Sequence, residues 1–246
     1  MSQPFLSIVI PALNEEKRLP PSLVKINQFL QTQTYSAEVV IVENGSSDRT
    51  LAVAHDFARQ MPGLRVFSES ERGKGLAVRR GMLEAEGQYC FICDADLSMP
   101  IEQVNRFLPP QLSNPAVVIG SRELPGAVRY HEPIYRHLIG RVFNSIVRLM
   151  ALPGLQDTQC GFKCFRADVT REVFSKQTLT GMSFDVEVLF IARQRGYFVQ
   201  EVPIDWYYDP DSRVRLVQDS LRMFADLITI RRNSLQGRYG PAVRSV

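Results

Sequence analysis

Five short apolar runs alternate with polar or amphipathic stretches over the first 121 residues, and this rhythm narrows the possible folds more than any other feature. The runs are 6–10 (LSIVI), 38–43 (EVVIVE), 64–68 (LRVFS), 88–94 (QYCFICD) and 116–121 (AVVIGS). After the second, Leu51, Ala54, Phe57, Ala58 and Met61 recur at helical spacing, with Ser46 and Ser47 as candidate caps. Strand and helix in alternation predict an α/β protein with a mostly parallel, Rossmann-like sheet and helices on both faces. Near-continuous apolar strands are what a sheet covered on both sides requires. At 246 residues the apolar content suffices for a substantial core. We expect one domain over 1–246, built as two halves, 1–121 and 122–246.

Sheets of this class bind ligands beyond the carboxyl ends of their strands. Polar residues collect there: Pro11, Ala12, Asn14 and Glu15 after the first run, Glu43 at the end of the second, Asp94 and Asp96 after the fourth, Arg122 after the fifth. Burying unpaired carboxylates is costly, so three acidic ends on one rim predict a site. Two positions apart on a strand, Asp94 and Asp96 lean the same way. Such a pair suits Mg²⁺ or Mn²⁺, which favour carboxylates together with substrate phosphates. A solvated strand-to-loop junction is the alternative reading of the pair alone. Neither G-x-x-x-x-G-K-[ST] nor G-x-G-x-x-G is present, so a diphosphate would be held through metal and cationic side chains. Arg72-Gly73-Lys74-Gly75 offers two charges for that purpose, and reads equally as a turn before a helix.

The net charge of +3 is too slight to suggest nucleic acid, although residues 213–246 hold seven arginines against two aspartates. No basic leader precedes a long apolar stretch, and no apolar run approaches the roughly 18 residues of a spanning helix, so the expectation is a soluble or peripheral, cytosolic protein. Cys90 and Cys93 fall on one expected strand three apart, hence on opposite faces, which favours buried reduced thiols over zinc for the four cysteines. His55, His131 and His137 show no triad-like partners.

PALNEE, VENGSSDRT, RGKGLAVRRGM and DADLS together resemble the inverting family 2 glycosyltransferases of GT-A fold. GSREL, YRHLIGRVFNSIVR, LQDTQCGFKCF, SFDVEVLFIARQRGY and EVPIDW resemble the polyprenyl-phosphate sugar synthases, first the dolichyl-phosphate β-glucosyltransferase type and next the mannose synthases. The likeness implies a metal-dependent hexosyltransferase moving a sugar from a nucleotide diphosphate to a polyprenyl phosphate, with UDP-glucose the first expected donor and GDP-mannose the second. It implies that Pro11, Ala12, Asn14 and Glu15 line the nucleotide pocket and that Glu43 reads the base. Asp94 would border the ribose and diphosphate, and Asp96 would ligate the metal. Arg122 and Arg136 would meet the acceptor phosphate, with Asp157, Gln159 and Lys163 near the sugar. Asp185 is a further site candidate, with helix capping as its alternative. Arg213 stands in place of a late lysine, Glu43-Asn44 in place of paired aspartates, and Ser98 where mannose synthases often carry glutamine. Rivals are a same-fold enzyme with a saccharide acceptor, using Asp157 or Asp185 as base, and a non-catalytic nucleotide-sugar binding module.

A lipid acceptor needs a membrane contact. Ile134, Leu138, Ile139, Val142, Phe143, Ile146, Val147 and Met150 form a helical apolar stripe flanked by Arg136, Arg141 and Arg148. A second stripe comprises Val217, Leu221, Phe224, Ala225 and Ile228, before Arg231 and Arg232. Either would let the protein lie on the cytoplasmic face of a membrane. Packing on the sheet, or in a homodimer, is the competing fate.

Overall fold

Leu6–Ala12 (β1) is a run of seven buried residues, and such a strand must be covered on both faces and flanked on both edges. The structure, a computed structural model, describes residues 3–210 and 216–242, with side chains omitted for 216–221. β1 lies between Ala37–Asn44 (β2) and Tyr89–Ile92 (β4), and Leu64–Glu69 (β3) forms one edge beside β2, all in parallel. Val117–Ser121 (β5) and Val199–Pro203 (β8) pair in parallel on the other side. Lys163–Arg166 (β7) joins the two groups, antiparallel to both β4 and β5, in a seven-stranded order β3-β2-β1-β4-β7-β5-β8. Val128–Tyr130 (β6) and Asp205–Tyr207 (β9) make a separate parallel ribbon.

Helices Leu19–Gln31 (α1), Thr50–Ala58 (α2), Lys74–Glu84 (α3), Ile134–Met150 (α4), Ala167–Phe174 (α5), Phe184–Gln194 (α6) and Leu216–Leu235 (α7) cover the sheet, with a 3₁₀ turn at Ile101–Phe107. Two apolar cores result. One takes Val9, Val40, Ile92, Val117 and Phe165 with α3, α5 and α6; the other takes Ile8, Ile10, Phe91, Val118 and Phe162 with α1 and the 3₁₀ turn. Cys90 lies in the first core and Cys93, one residue past the end of β4, in the second, and all four cysteines are buried free thiols. Burial pushes each thiol up, Cys90 to about 11 and Cys160 to about 12.

Three local expectations need correction. The fourth strand stops at Ile92, so Asp94 and Asp96 do not alternate on a strand. They stand in a turn where Leu97 N donates to Asp94 O at 3.2 Å and Ser98 N to Asp96 Oδ1 at 2.9 Å. Ser46 and Ser47 do not cap α2; Asp48 Oδ1 instead accepts from Thr50 N at 2.9 Å. The α4 stripe is also divided. Phe143 and Val147 are buried in the core, whereas Ile134 (80% exposed), Leu138 (61%) and Val142 (65%), at i, i+4 and i+8, face outward. Only half of the apolar surface found a partner, in the first core beside α7.

Candidate active site

The loops after β1, β4, β5 and β9 enclose a cavity of about 330 Å³, within the range of small-molecule sites. Pro11, Leu13, Glu15, Arg18 and Asn44 form one wall, Lys74, Asp94 and Asp96 the floor, and Arg122, Arg136, Gln159, Trp206 and Tyr208 the facing wall. The structure therefore brings Pro11, Glu15, Lys74, Asp94, Asp96, Arg122, Arg136 and Gln159 together in one cavity. Arg213 lies outside the described residues.

The remaining candidates support this cavity without lining it. Asn14, at φ +53°, knits two loops: its N–H donates to Ser46 Oγ at 2.9 Å and its Oδ1 accepts from Ser47 N at 2.8 Å. Ala12 is wholly buried inside the second core. Glu43 is buried behind the wall, accepting from Ser46 N and, at 2.9 Å, from Ser68 Oγ. Asn44, one residue later, takes the lining position, and its buried Nδ2 has no partner.

A chain of charges runs beneath the floor. Lys74 Nζ meets Asp94 Oδ1 at 2.6 Å, and the fully buried Lys163 Nζ meets Asp185 Oδ1 at 2.6 Å while also donating to Cys160 O. Asp185 makes no side-chain cap on α6, so the ion pair explains it better than capping does. Burial alone would raise the Asp94 carboxyl, but the Lys74 ammonium overrides this and holds it below the ordinary range. Burial and the Asp94 charge push Asp96 up instead. Two hard-oxygen groups repelling one another across a polar floor fit a divalent cation, with water and substrate phosphate completing its shell. Among the described residues no third acidic or imidazole side chain joins them.

On the facing wall the arginines divide. Arg122 is clamped by Asp157: Nε donates to Oδ2 at 2.6 Å, the second fork nitrogen to Oδ1 at 2.9 Å, and the backbone N–H to Oδ2 at 3.0 Å. Glu201 in turn accepts from the N–H groups of Gln156 and Asp157 at 2.9 and 3.0 Å, fixing that loop. Asp157 thus acts through Arg122, whose guanidinium stacks over Trp206 at 5.2 Å. Arg129 is matched by Glu123 and Glu132, and Arg141 by Glu123. Among the described residues no carboxylate pairs with Arg136. Its buried Nε lacks any partner, and its guanidinium lies 5.2 Å from the Tyr208 ring. One cation on this wall is left to receive an anion.

Sequence reasoning missed Arg18, Asn44, Tyr208 and Asp209 as lining groups. Arg18 grips both Glu15 oxygens at 2.6 Å and reaches Asp209 at 2.8 Å, tying the β1 loop to the loop after β9. No local pattern signalled that bridge across 191 residues, although EVPIDW did mark the neighbouring Trp206.

The Arg122–Asp157 clamp makes a testable contribution to stability. Burial would raise the Asp157 carboxyl, but Arg122 holds it down at about 2. Its stabilisation, about 2 kcal/mol, is fully present above the unfolded carboxyl value near 3.8 and is lost as pH falls toward about 2. Asp157→Asn leaves a buried guanidinium unpaired and is expected to cost about 3 kcal/mol at pH 7. Urea unfolding at pH 7 and pH 3 checks this: the variant's deficit should shrink at the lower pH, and an equal deficit at both would contradict the assignment.

The pattern of the Glycosyl transferase family 2 matches residues 7–174. Dolichyl-phosphate beta-glucosyltransferase of Saccharomyces cerevisiae is 33% identical over 257 residues, covering 96% of this chain and 76% of that protein. The enzyme of that name from Homo sapiens is 30% identical, covering 95% and 77%. Among solved structures, glucosyl-3-phosphoglycerate synthase from Mycobacterium tuberculosis, in complex with Mn²⁺, UDP-glucose and glycerol 3-phosphate, superposes with a TM-score of 0.66 at 18% identity, covering 92% of this chain and 80% of that one. That likeness establishes the GT-A fold. A family pattern spanning most of the chain, with relatives near one-third identity across nearly all of it, makes this protein a member of glycosyl transferase family 2.

Proposed function

We propose that this enzyme transfers glucose from UDP-glucose to a polyprenyl phosphate of the dolichyl type, with inversion at the anomeric carbon, at a membrane surface. One observation carries the acceptor assignment. Arg136, the unpaired cation of the cavity, lies in the first turn of α4, and the same turns expose Ile134, Tyr135 and Leu138. A phosphate with a long apolar tail matches that juxtaposition; a soluble sugar does not. The names of the relatives support the glucosyl and dolichyl assignments, and a neighbour of the same fold described with UDP-glucose and Mn²⁺ supports the donor and metal class.

Asp94 and Asp96 would hold Mg²⁺ or Mn²⁺, which supplies electrostatic stabilisation of the departing diphosphate. The acceptor phosphate oxygen is already anionic near neutral pH, so it needs no strong general base. Arg136 orients it through a bidentate fork, and Arg122, held rigid by Asp157 and Trp206, narrows the wall against which the sugar sits. Trp206 and Tyr208 exclude water from the path between acceptor oxygen and anomeric carbon. Purified protein incubated with each labelled nucleotide sugar, Mg²⁺ and a short polyprenyl phosphate tests this reading. Labelled lipid should form from UDP-glucose; no lipid product from any donor would sink the acceptor claim, and label on a soluble saccharide would favour the rival.

The exposed arc of α4, with Phe224 and Ile228 of α7, is the proposed membrane contact. No helix among the described residues is long and apolar enough to cross a membrane. Replacing Leu138 and Val142 with glutamate should cut co-sedimentation with anionic vesicles several-fold while changing stability by no more than about 0.5 kcal/mol. If the double variant sediments with vesicles as before but its parent is a dimer that it is not, the face serves a second copy instead.

A further inference from the structure

Lys74 does more than line the cavity: it occupies a carboxylate that the proposed metal would need. Its ammonium sits 2.6 Å from Asp94 Oδ1, while among the described residues Asp96, the other half of the pair, accepts from Ser98 N and has no cationic side chain hydrogen-bonded to it. The Lys74–Asp94 pair on the floor and the Lys163–Asp185 pair beneath it each cancel, which leaves the charge of Asp96 as one negative charge in excess. A divalent cation alone would turn that excess into one positive charge. A cation arriving with a doubly charged diphosphate would restore the original balance.

The backbone around Lys74 is held by packing, and its side chain by the ion pair with Asp94 alone among the hydrogen bonds described. Lys74 opens α3 between Gly73 and Gly75, and the 179–181 segment packs directly on both. A Cβ at Gly73 would stand 2.5 Å from Thr180 O, and one at Gly75 2.8 Å from Leu179 O and Gly181 O. Gln177 Nε2 donates to Gly75 O at 2.8 Å, and Leu76 N to Thr180 O at 3.2 Å. Asp94 is equally confined, since a Cβ at Gly161 would run into its carboxylate. Of the two partners, Lys74 has the side chain with rotatable bonds to spare, a four-carbon stem carrying a point charge.

We propose that Lys74 is an exchangeable counter-ion: it neutralises Asp94 in the empty enzyme, gives up that carboxylate when a divalent cation binds, and swings onto the diphosphate of the donor. This inference rests on the metal-assisted reading above and goes beyond it by assigning one residue opposite effects on two ligands. Lys74 weakens the metal site when no donor is present and strengthens the donor site. Metal and nucleotide then bind with positive coupling, because each relieves the charge imbalance left by the other.

The test is direct Mn²⁺ binding, read from the free-ion paramagnetic resonance signal, with and without UDP, on the wild type, Lys74→Met and Asp94→Asn. Lys74→Met should bind Mn²⁺ alone about tenfold more tightly than wild type, bind UDP about tenfold more weakly by calorimetry, and lose most of the UDP–Mn²⁺ coupling, a 1.4 kcal/mol change in each affinity. Asp94→Asn should weaken Mn²⁺ in either condition. Unchanged or weaker Mn²⁺ binding by Lys74→Met overturns the exchange. A merely structural lysine would lower both affinities together. Failure of every protein to bind Mn²⁺ would strike at the metal reading of the proposed function, a distinguishable outcome. Should the methionine variant not fold, Lys74→Gln carries the same expectation and the same refutation.

Discussion

Asp96→Ala is expected to lower turnover at saturating UDP-glucose by about 10³-fold, the scale associated with removing one preorganised electrostatic stabiliser of a transition state. The diphosphate acquires charge as the glycosidic bond breaks, and Asp96 is the floor carboxylate without a lysine partner. The substitution should not unfold the protein. Burial and the Asp94 charge raise the Asp96 carboxyl, so its ionised form works against the folded state. The sign follows: this cost is absent below the ordinary unfolded value of 3.8 and grows as pH rises through the raised folded value. Asp96→Asn should therefore melt at a higher temperature than wild type at pH 7, with the difference fading in acid. A local excess of negative charge kept for function at the expense of stability is a recurrent trade-off in active sites. Turnover within a few-fold of wild type would remove Asp96 from the chemistry, and a lower melting temperature at pH 7 would remove the repulsion.

Arg136→Ala is expected to reduce kcat/KM for the polyprenyl phosphate by about 10²-fold, since a charge-assisted hydrogen bond contributes about 1.5–3 kcal/mol and a bidentate fork supplies two. Affinity for UDP should stay near the wild-type value. Arg136→Lys should recover only part of the loss, because a point charge replaces a planar fork. Both follow from the separation of the two wall arginines: Arg122 is already paired with Asp157, whereas Arg136 keeps an unpartnered buried Nε. Arg122→Ala should look different, releasing a buried Asp157 carboxylate and lowering stability along with activity. If Arg136→Ala disturbs donor affinity alone, the acceptor role assigned to it fails.

Much of the first half was readable from the chain. Each of the five apolar runs became a strand within a residue or two of its expected bounds, apart from the fourth, which ends at Ile92 and releases Asp94 and Asp96 into a turn. The pair still met in one cavity, although a turn held by Ser98 and Leu97, not the pleat, brought it there. The second half was harder to read. Nothing local marks β7 as the antiparallel strand that joins the two parallel groups, because Lys163–Arg166 is short and begins on a buried lysine. That lysine read as a group near the sugar; the structure gives it to Asp185 beneath the floor. Glu43 likewise read as a base-contacting carboxylate, yet Ser46 and Ser68 hold it behind the wall and Asn44 takes the lining position. Asp157 sits one side chain back from the cavity, committed to Arg122.

The order of residues by itself determined which segments would be strands, which ends would be polar and that two carboxylates would close the fourth run, because hydrophobic periodicity and turn chemistry are local properties. Tertiary structure alone decided which charges are spent on one another. Arg122 and Arg136 carry the same charge and Asp94 and Asp96 the same group, and only packing gave Asp157 to one arginine and Lys74 to one aspartate. Ion pairing depends on separations of a few ångströms between residues as much as 191 positions apart in the chain, and that distance is a property of the folded backbone.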